Sequence, residues 1–248
     1  MTLADLGVFA DAVQFVVDER TLIFEKTWEH LLLSGAAVAV ALAVALPLGI
    51  WLGHLHRGSF VAINVANVGR ALPSLALIAI GIAFLGVGFA NVTVALVVLA
   101  VPPILTNSYV AVDGVEAELV EAARGMGMTK GQIVRRVELP LALPLIFAGI
   151  RTATVFVIAT ATIAAVAGGG GLGDIIVNQA GYGLQGVVGA AICVSILALA
   201  ADGALGLLQR LLTPPGLRTG AHALEPDVVT GMTRRVGSGR MDHPKSAP

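Results

Sequence analysis

Apolar residues run along this chain in long blocks rather than in short alternations. No Asp, Glu, Lys or Arg lies between His30 and His54, between Arg70 and Asp113, between Arg151 and Asp174, or between Asp174 and Asp202. A helix crossing the hydrocarbon core of a bilayer takes about 20 apolar residues, so each block holds at least one crossing. The block after Arg70 holds most of two, divided at GVGFAN (86–91). The pattern predicts spans near 29–53, 61–85, 90–112, 145–167 and 185–209. Each is expected to be helical, because a segment in lipid must satisfy its own backbone hydrogen bonds. The expected fold class is therefore all-α, a polytopic membrane protein with about five transmembrane helices. Residues 3–17 (LADLGVFADAVQFVV) read as an amphipathic helix within an N-terminal segment, 1–28. A sixth, shallow span there stays open, although acidic residues interrupt it. Residues 213–248, rich in Pro, Gly, Arg and Ser, read as a disordered tail.

One stretch breaks the apolar pattern. EAARGMGMTKGQIVRRVELP (121–140) carries Glu121, Arg124, Lys130, Arg135, Arg136 and Glu138. Each charge costs roughly 2.5 kcal/mol or more at a helix centre in the membrane, against about 0.3–0.6 kcal/mol gained by each Val or Leu, so this stretch stays in water. Its local code is more than that of a connecting loop. Glu116 to Ala123 are strong helix formers. Gly125 and Gly127 supply stop signals. Thr129, with Gln132 three residues on, fits a capping box that restarts a helix at Lys130. Ile133, Val137 and Leu141 share one face of that second helix, and Pro140 and Pro144 are expected to end it. The prediction is helix, glycine bend, helix: a shaped platform with an apolar face, suited to docking.

Composition sharpens this picture. The 248 residues are 56% hydrophobic and 12% charged, with mean hydropathy +0.89, outside the range of ordinary soluble domains. The net charge of −1 gives no bias toward nucleic acid. The single cysteine, Cys193, lies in an apolar run without an intrachain disulfide partner. Residues 1–19 contain four acidic side chains and no basic start, unlike a cleavable signal. Of the 15 Lys and Arg residues, 11 fall in one alternate set of segments: Arg57, the 121–140 stretch, Arg210 and the tail. The positive-inside rule then makes the platform and the C-terminus cytoplasmic and the N-terminus external.

The platform resembles the EAA loop of ABC importer permeases: E-A-A, three residues, G, nine residues, then an aliphatic-x-L-P ending. Glu121, Ala122, Ala123, Gly127, Leu139 and Pro140 fit in register, and Val137 stands where Ile is usual. RALPSLALIAIGIAFLGVG (70–88), VELPLALPLIFAGIRTATV (137–155) and AGGGGLGDIIVNQA (167–180) resemble the permeases for glycine betaine, carnitine, choline and related osmoprotectants. The resemblance runs from about Glu29 to Arg210. It implies the type I ABC importer transmembrane fold over 29–212, with 116–140 as the loop that couples to a separate ATPase. It further implies two ATPase subunits, a second permease chain (identical or related), an extracytoplasmic substrate-binding protein and a bacterial cell membrane. The methionine importer permeases share the EAA pattern and the glycine-rich outer loop, so methionine or another small amphiphilic solute is the alternative cargo. No cofactor is implied.

No G-x-x-x-x-G-K-[ST] occurs, so ATP is expected to be bound by another polypeptide. GGGGLG (168–173) follows a membrane span rather than a strand and reads as a flexible external turn instead of a dinucleotide loop. Asn64, Asn67, Ser74, Asn107, Tyr109 and Thr154 are polar positions on the spans, near Pro73, Pro102 and Pro103. They are candidates for the translocation path, and ordinary interhelical hydrogen bonding explains them nearly as well. Arg151 and Asp202 are expected at similar depth, two turns from the cytoplasmic ends of their spans, as an ion pair. His54 and His56 do not complete a metal site and read as interfacial residues. With two Trp, two Tyr and eight Phe, a tight aromatic cage for a quaternary ammonium is hard to build. High-affinity recognition is expected in the separate binding protein.

Overall fold

The computed structural model describes residues 3–214, and the tail assigned to 213–248 lies almost wholly outside them. Every apolar block is helical, and no strand occurs among the described residues. Four helical segments are long and apolar enough to cross a membrane: Arg20–His54, Phe89–Asp113, Lys130–Ala167 and Gln179–Leu212. The chain runs α1 (Leu3–Asp18), α2 (Arg20–His54), α3 (Ser59–Ala71), α4 (Ser74–Leu85), α5 (Phe89–Asp113), α6 (Ala117–Gly125), α7 (Lys130–Ile133), α8 (Leu139–Thr160), α9 (Gly173–Val177) and α10 (Gln179–Leu212).

The span expected at 61–85 is not one helix. It is carried by α3 and α4, of 13 and 12 residues, joined through extended backbone at Leu72 (φ −78°, ψ 118°) and Pro73 (φ −69°, ψ 122°). Pro73 has no N–H to donate and pushes the residue before it out of the helical region. The helix carrying the last span is broken just ahead of the expected 185–209: α10 breaks at Gly183 (φ 66°, ψ 178°). The N-terminal amphipathic segment is helical as α1, and its Phe15 and Val16 pack toward Gly186 and Gly189 of α10.

Helix α5 is the axis of the bundle. Glycines on α2 and α8 let their backbones touch it. A Cβ on Gly49 would stand 2.8 Å from the Leu105 carbonyl oxygen, one on Gly53 2.9 Å from that of Tyr109, and one on Gly149 2.8 Å from that of Pro103. Such close approach through small residues holds membrane helices together where lipid offers no hydrophobic drive. The main core follows from it: Leu33, Ala37, Ala41 and Ala45 of α2, Leu96, Ala100 and Ile104 of α5, and Ala153 and Val157 of α8.

Neither Pro140 nor Pro144 ends the platform's second helix. Helix α7 continues through a π-helical turn, Val134–Glu138, directly into α8, so one helical path runs from Lys130 to Ala167. In the π turn the Leu139 N–H reaches the Val134 carbonyl, five residues back. The widened turn accommodates a proline, which in a regular α-helix would lack its own bond and crowd the carbonyl four residues earlier.

Candidate functional site: the coupling platform and the membrane cleft

The EAA residues lie on α6. Ala123 is buried with Val120 and Ile133, and Val115, Met128 and Val137 close around them to form a small core belonging to the platform. Glu121 and Ala122 are exposed. Helix α6 ends in a Schellman arrangement. The Gly127 N–H donates to the Arg124 carbonyl (3.0 Å) and the Met128 N–H to the Ala123 carbonyl (3.2 Å). Gly127 takes φ +78°, a left-handed conformation in which a Cβ would be strained. Gly125 is the last helical residue, so the second glycine makes the bend. The Thr129 N–H then donates to Gln132 Oε1 at 2.8 Å and closes the capping box of α7. Leu139 and Pro140 begin α8 and are half-buried. Leu119, Ala122 and Met126 fall on one exposed face of α6, with Leu119 44% and Met126 71% accessible.

A cleft of about 450 Å³ opens between α3, α5 and α8, lined by Ala66, Gly69, Pro102, Thr106, Asn107 and Thr152 among others. Of the translocation-path candidates it includes Asn107. Asn64, Asn67, Ser74, Tyr109 and Thr154 are not in its lining. The Asn64 amide donates to the Phe60 carbonyl (2.7 Å), and the Thr154 hydroxyl to that of Ile150 (2.9 Å), each one turn back on its own helix. Tyr109 is 6% exposed on α5, where the α2 glycines pack. Helix α3 is held to α5 where the Thr106 hydroxyl donates to the Ala62 carbonyl (3.3 Å) and where Gly69 meets the Pro102 ring.

Arg151 and Asp202 meet in a two-pronged pair, Nε to Oδ1 at 2.8 Å and Nη2 to Oδ2 at 2.6 Å, joining α8 to α10. Three further groups of ion pairs join residues far apart in the sequence, except for Lys26 and Glu29, which stand three residues apart on α2. At the far end of α2, Lys26 Nζ donates to Glu29 (2.9 Å) and Asp174 (2.8 Å), and Glu29 Oε2 accepts the Gly171 N–H (2.9 Å). The glycine-rich turn, expected to be flexible, is thus tied to α2 by charge-assisted bonds. At the platform end, His54 Nδ1 contacts both carboxylate oxygens of the buried Glu138 at 2.9 Å, and His56 Nδ1 meets Asp113 Oδ1 at 3.0 Å. Both histidines have structural partners that sequence reading had not supplied.

Long apolar helices, a water-facing platform between two of them and a cleft beside a broken helix define a membrane transport subunit. Residues 45–214 match the family described as binding-protein-dependent transport system inner membrane component, and the chain belongs to that family. The choline transport system permease protein OpuBB of Bacillus subtilis (strain 168) is 43% identical over 207 residues, covering 83% of this chain and 95% of that one. The glycine betaine/carnitine/choline transport system permease protein OpuCB of the same organism is 44% identical over 194 residues, covering 78% and 89%. Among solved structures, the inward-facing MetNI methionine ABC transporter matches with TM-score 0.69 at 25% identity, covering 79% of this chain and 98% of that one. The fold is that of ABC importer permeases.

Proposed function

We propose that this chain is the membrane permease subunit of an ATP-driven importer for osmoprotectants of the quaternary-amine type: glycine betaine, carnitine, choline and proline betaine. The observation that carries the reading is the EAA platform, built as a separately cored unit, in a chain more than 40% identical to permeases named for choline and glycine betaine. The likeness to a methionine transporter rests on a lower identity, which favours the osmoprotectant cargo over methionine.

ATP hydrolysis resides on two separate ATPase subunits seated on the exposed Leu119, Ala122 and Met126 face, with Glu121 beside it. Their closure displaces the platform, and the unbroken helix from Lys130 carries the displacement into α8. The cleft around Asn107 forms half of a path completed by a second permease, the same chain or a related one. A binding protein delivers the solute from the external side. The excess of basic residues in the platform and the C-terminal segment supports a cytoplasmic side for both, in a bacterial cell. The transmembrane domain spans 29–212, and residues 1–28 lie on the external side.

The test is uptake in cells lacking other betaine transporters, expressing this chain with its ATPase and binding protein. Radiolabelled choline and glycine betaine should accumulate, and excess carnitine should compete where excess methionine does not. Competition by methionine alone would move the cargo to the alternative.

A further inference from the structure

We propose that the turn His54–Leu55–His56 is a clamp that holds both ends of the coupling platform and transmits its displacement to α3, the broken helix that lines the cleft. The inference rests on the reading of 116–140 as the ATPase-coupled element. Asp113 is the last residue of α5, where the chain enters the platform, and Glu138 is the last residue of the π turn, where it leaves. These carboxylates are bound by histidines two residues apart, His56 at 3.0 Å and His54 at 2.9 Å. Glu138 is 1% exposed, so its bond to His54 is screened little by water.

The backbone of the turn carries an independent sign. His56 has φ +48°, and no other described non-glycine residue has positive φ. The His56 N–H donates to the Gly53 carbonyl (2.9 Å) and the Arg57 N–H to the Leu52 carbonyl (3.3 Å), the helix-ending geometry usually given to glycine. A histidine there has a conformational cost that glycine avoids. What it supplies instead is the bond to Asp113. Strained residues of this kind persist where the side chain has a task.

The lever is short. Three residues after His56 the chain enters α3 at Ser59, and Ala66, Gly69 and Leu72 of α3 and its C-cap line the cleft. Gly53 sets the end of α2 against the α5 backbone, so the clamp has a fixed footing. A shift of the π turn is passed through Glu138 to His54, and from the turn into α3. His54 and His56 are positioning residues for transport and touch no solute.

The test uses the complete complex with ATPase and binding protein, reconstituted in vesicles and assayed for radiolabelled choline and glycine betaine uptake together with ATP hydrolysis. His56→Gly removes the Asp113 bond while relieving the backbone, so complex stability should hold or rise. Uptake per ATP hydrolysed should fall roughly tenfold, the scale of one charge-assisted hydrogen bond. His54→Ala should do the same, and Glu138→Gln, which keeps an acceptor for His54 but not its charge, should fall between that variant and wild type. Combining His56→Gly with His54→Ala should add little, as for two links in series. Unchanged uptake per ATP in a stable His56→Gly complex overturns the clamp while leaving the importer reading intact. A wild-type complex without ATP-driven uptake overturns both.

Discussion

Gly127→Ala isolates the conformational demand at the centre of the platform. A Cβ at Gly127 would meet nothing within 4 Å, so space is not the constraint. The constraint is φ +78°, which costs an L-residue about 1–2 kcal/mol. Gly125, two residues earlier, is the paired control: it too has open space around its Cβ, but it is helical, where alanine is favoured by up to ~1 kcal/mol. The same chemical change should therefore have opposite signs at the two positions. The most direct reporter is the Met128 amide, held to the Ala123 carbonyl across the bend. A penalty of about 1–2 kcal/mol corresponds to local opening roughly 5- to 30-fold more often, hence amide exchange faster by that factor. Hydrogen exchange of the 117–133 peptide in the purified complex reads it, with uptake measured in parallel. Equal exchange in the 125 and 127 variants would refute the argument that the bend depends on a left-handed residue.

Three further outcomes follow from the packing. Gly49→Ala should reduce the amount of folded protein in the membrane, with a cost of about 1–3 kcal/mol because the Leu105 carbonyl cannot yield, while Gly35→Ala, with open space, should be tolerated; thermal aggregation in detergent compares them. Arg151→Leu and Asp202→Leu should each lower stability, and the double variant should be milder than either; the same assay would contradict this if the effects simply added. Leu119→Glu with Met126→Glu should abolish co-purification of the ATPase without changing membrane abundance, because these side chains are exposed and support no core.

What could be read in the sequence was whatever is encoded over short distances. Charge-free length gave the helices, and the helix formers, Gly127 and the Thr129–Gln132 pair gave the platform its bend and restart. Pro73 sits at the break in the span read as one helix, while Pro102 and Pro103 lie inside an unbroken α5. Pro140 misled, because its stop signal is cancelled by a π turn that a linear pattern does not encode. The His54 and His56 partners lie 84 and 57 positions away, and the Glu29 bond to Gly171 spans 142, so only the folded chain brings them together. The cleft was hardest to foresee. Its helices are apolar on nearly every face, so no periodicity says which way Asn64, Asn107 or Thr154 turns. All three also donate to carbonyls of their own helix, as isolated polar residues can in any apolar helix.

The most direct measurement is choline and glycine betaine uptake into vesicles holding the assembled complex, with and without ATP on the platform side. The account predicts accumulation that requires both ATP and the binding protein and is lost when Leu119→Glu with Met126→Glu removes the ATPase. Accumulation without ATP, or undiminished in that variant, would contradict it.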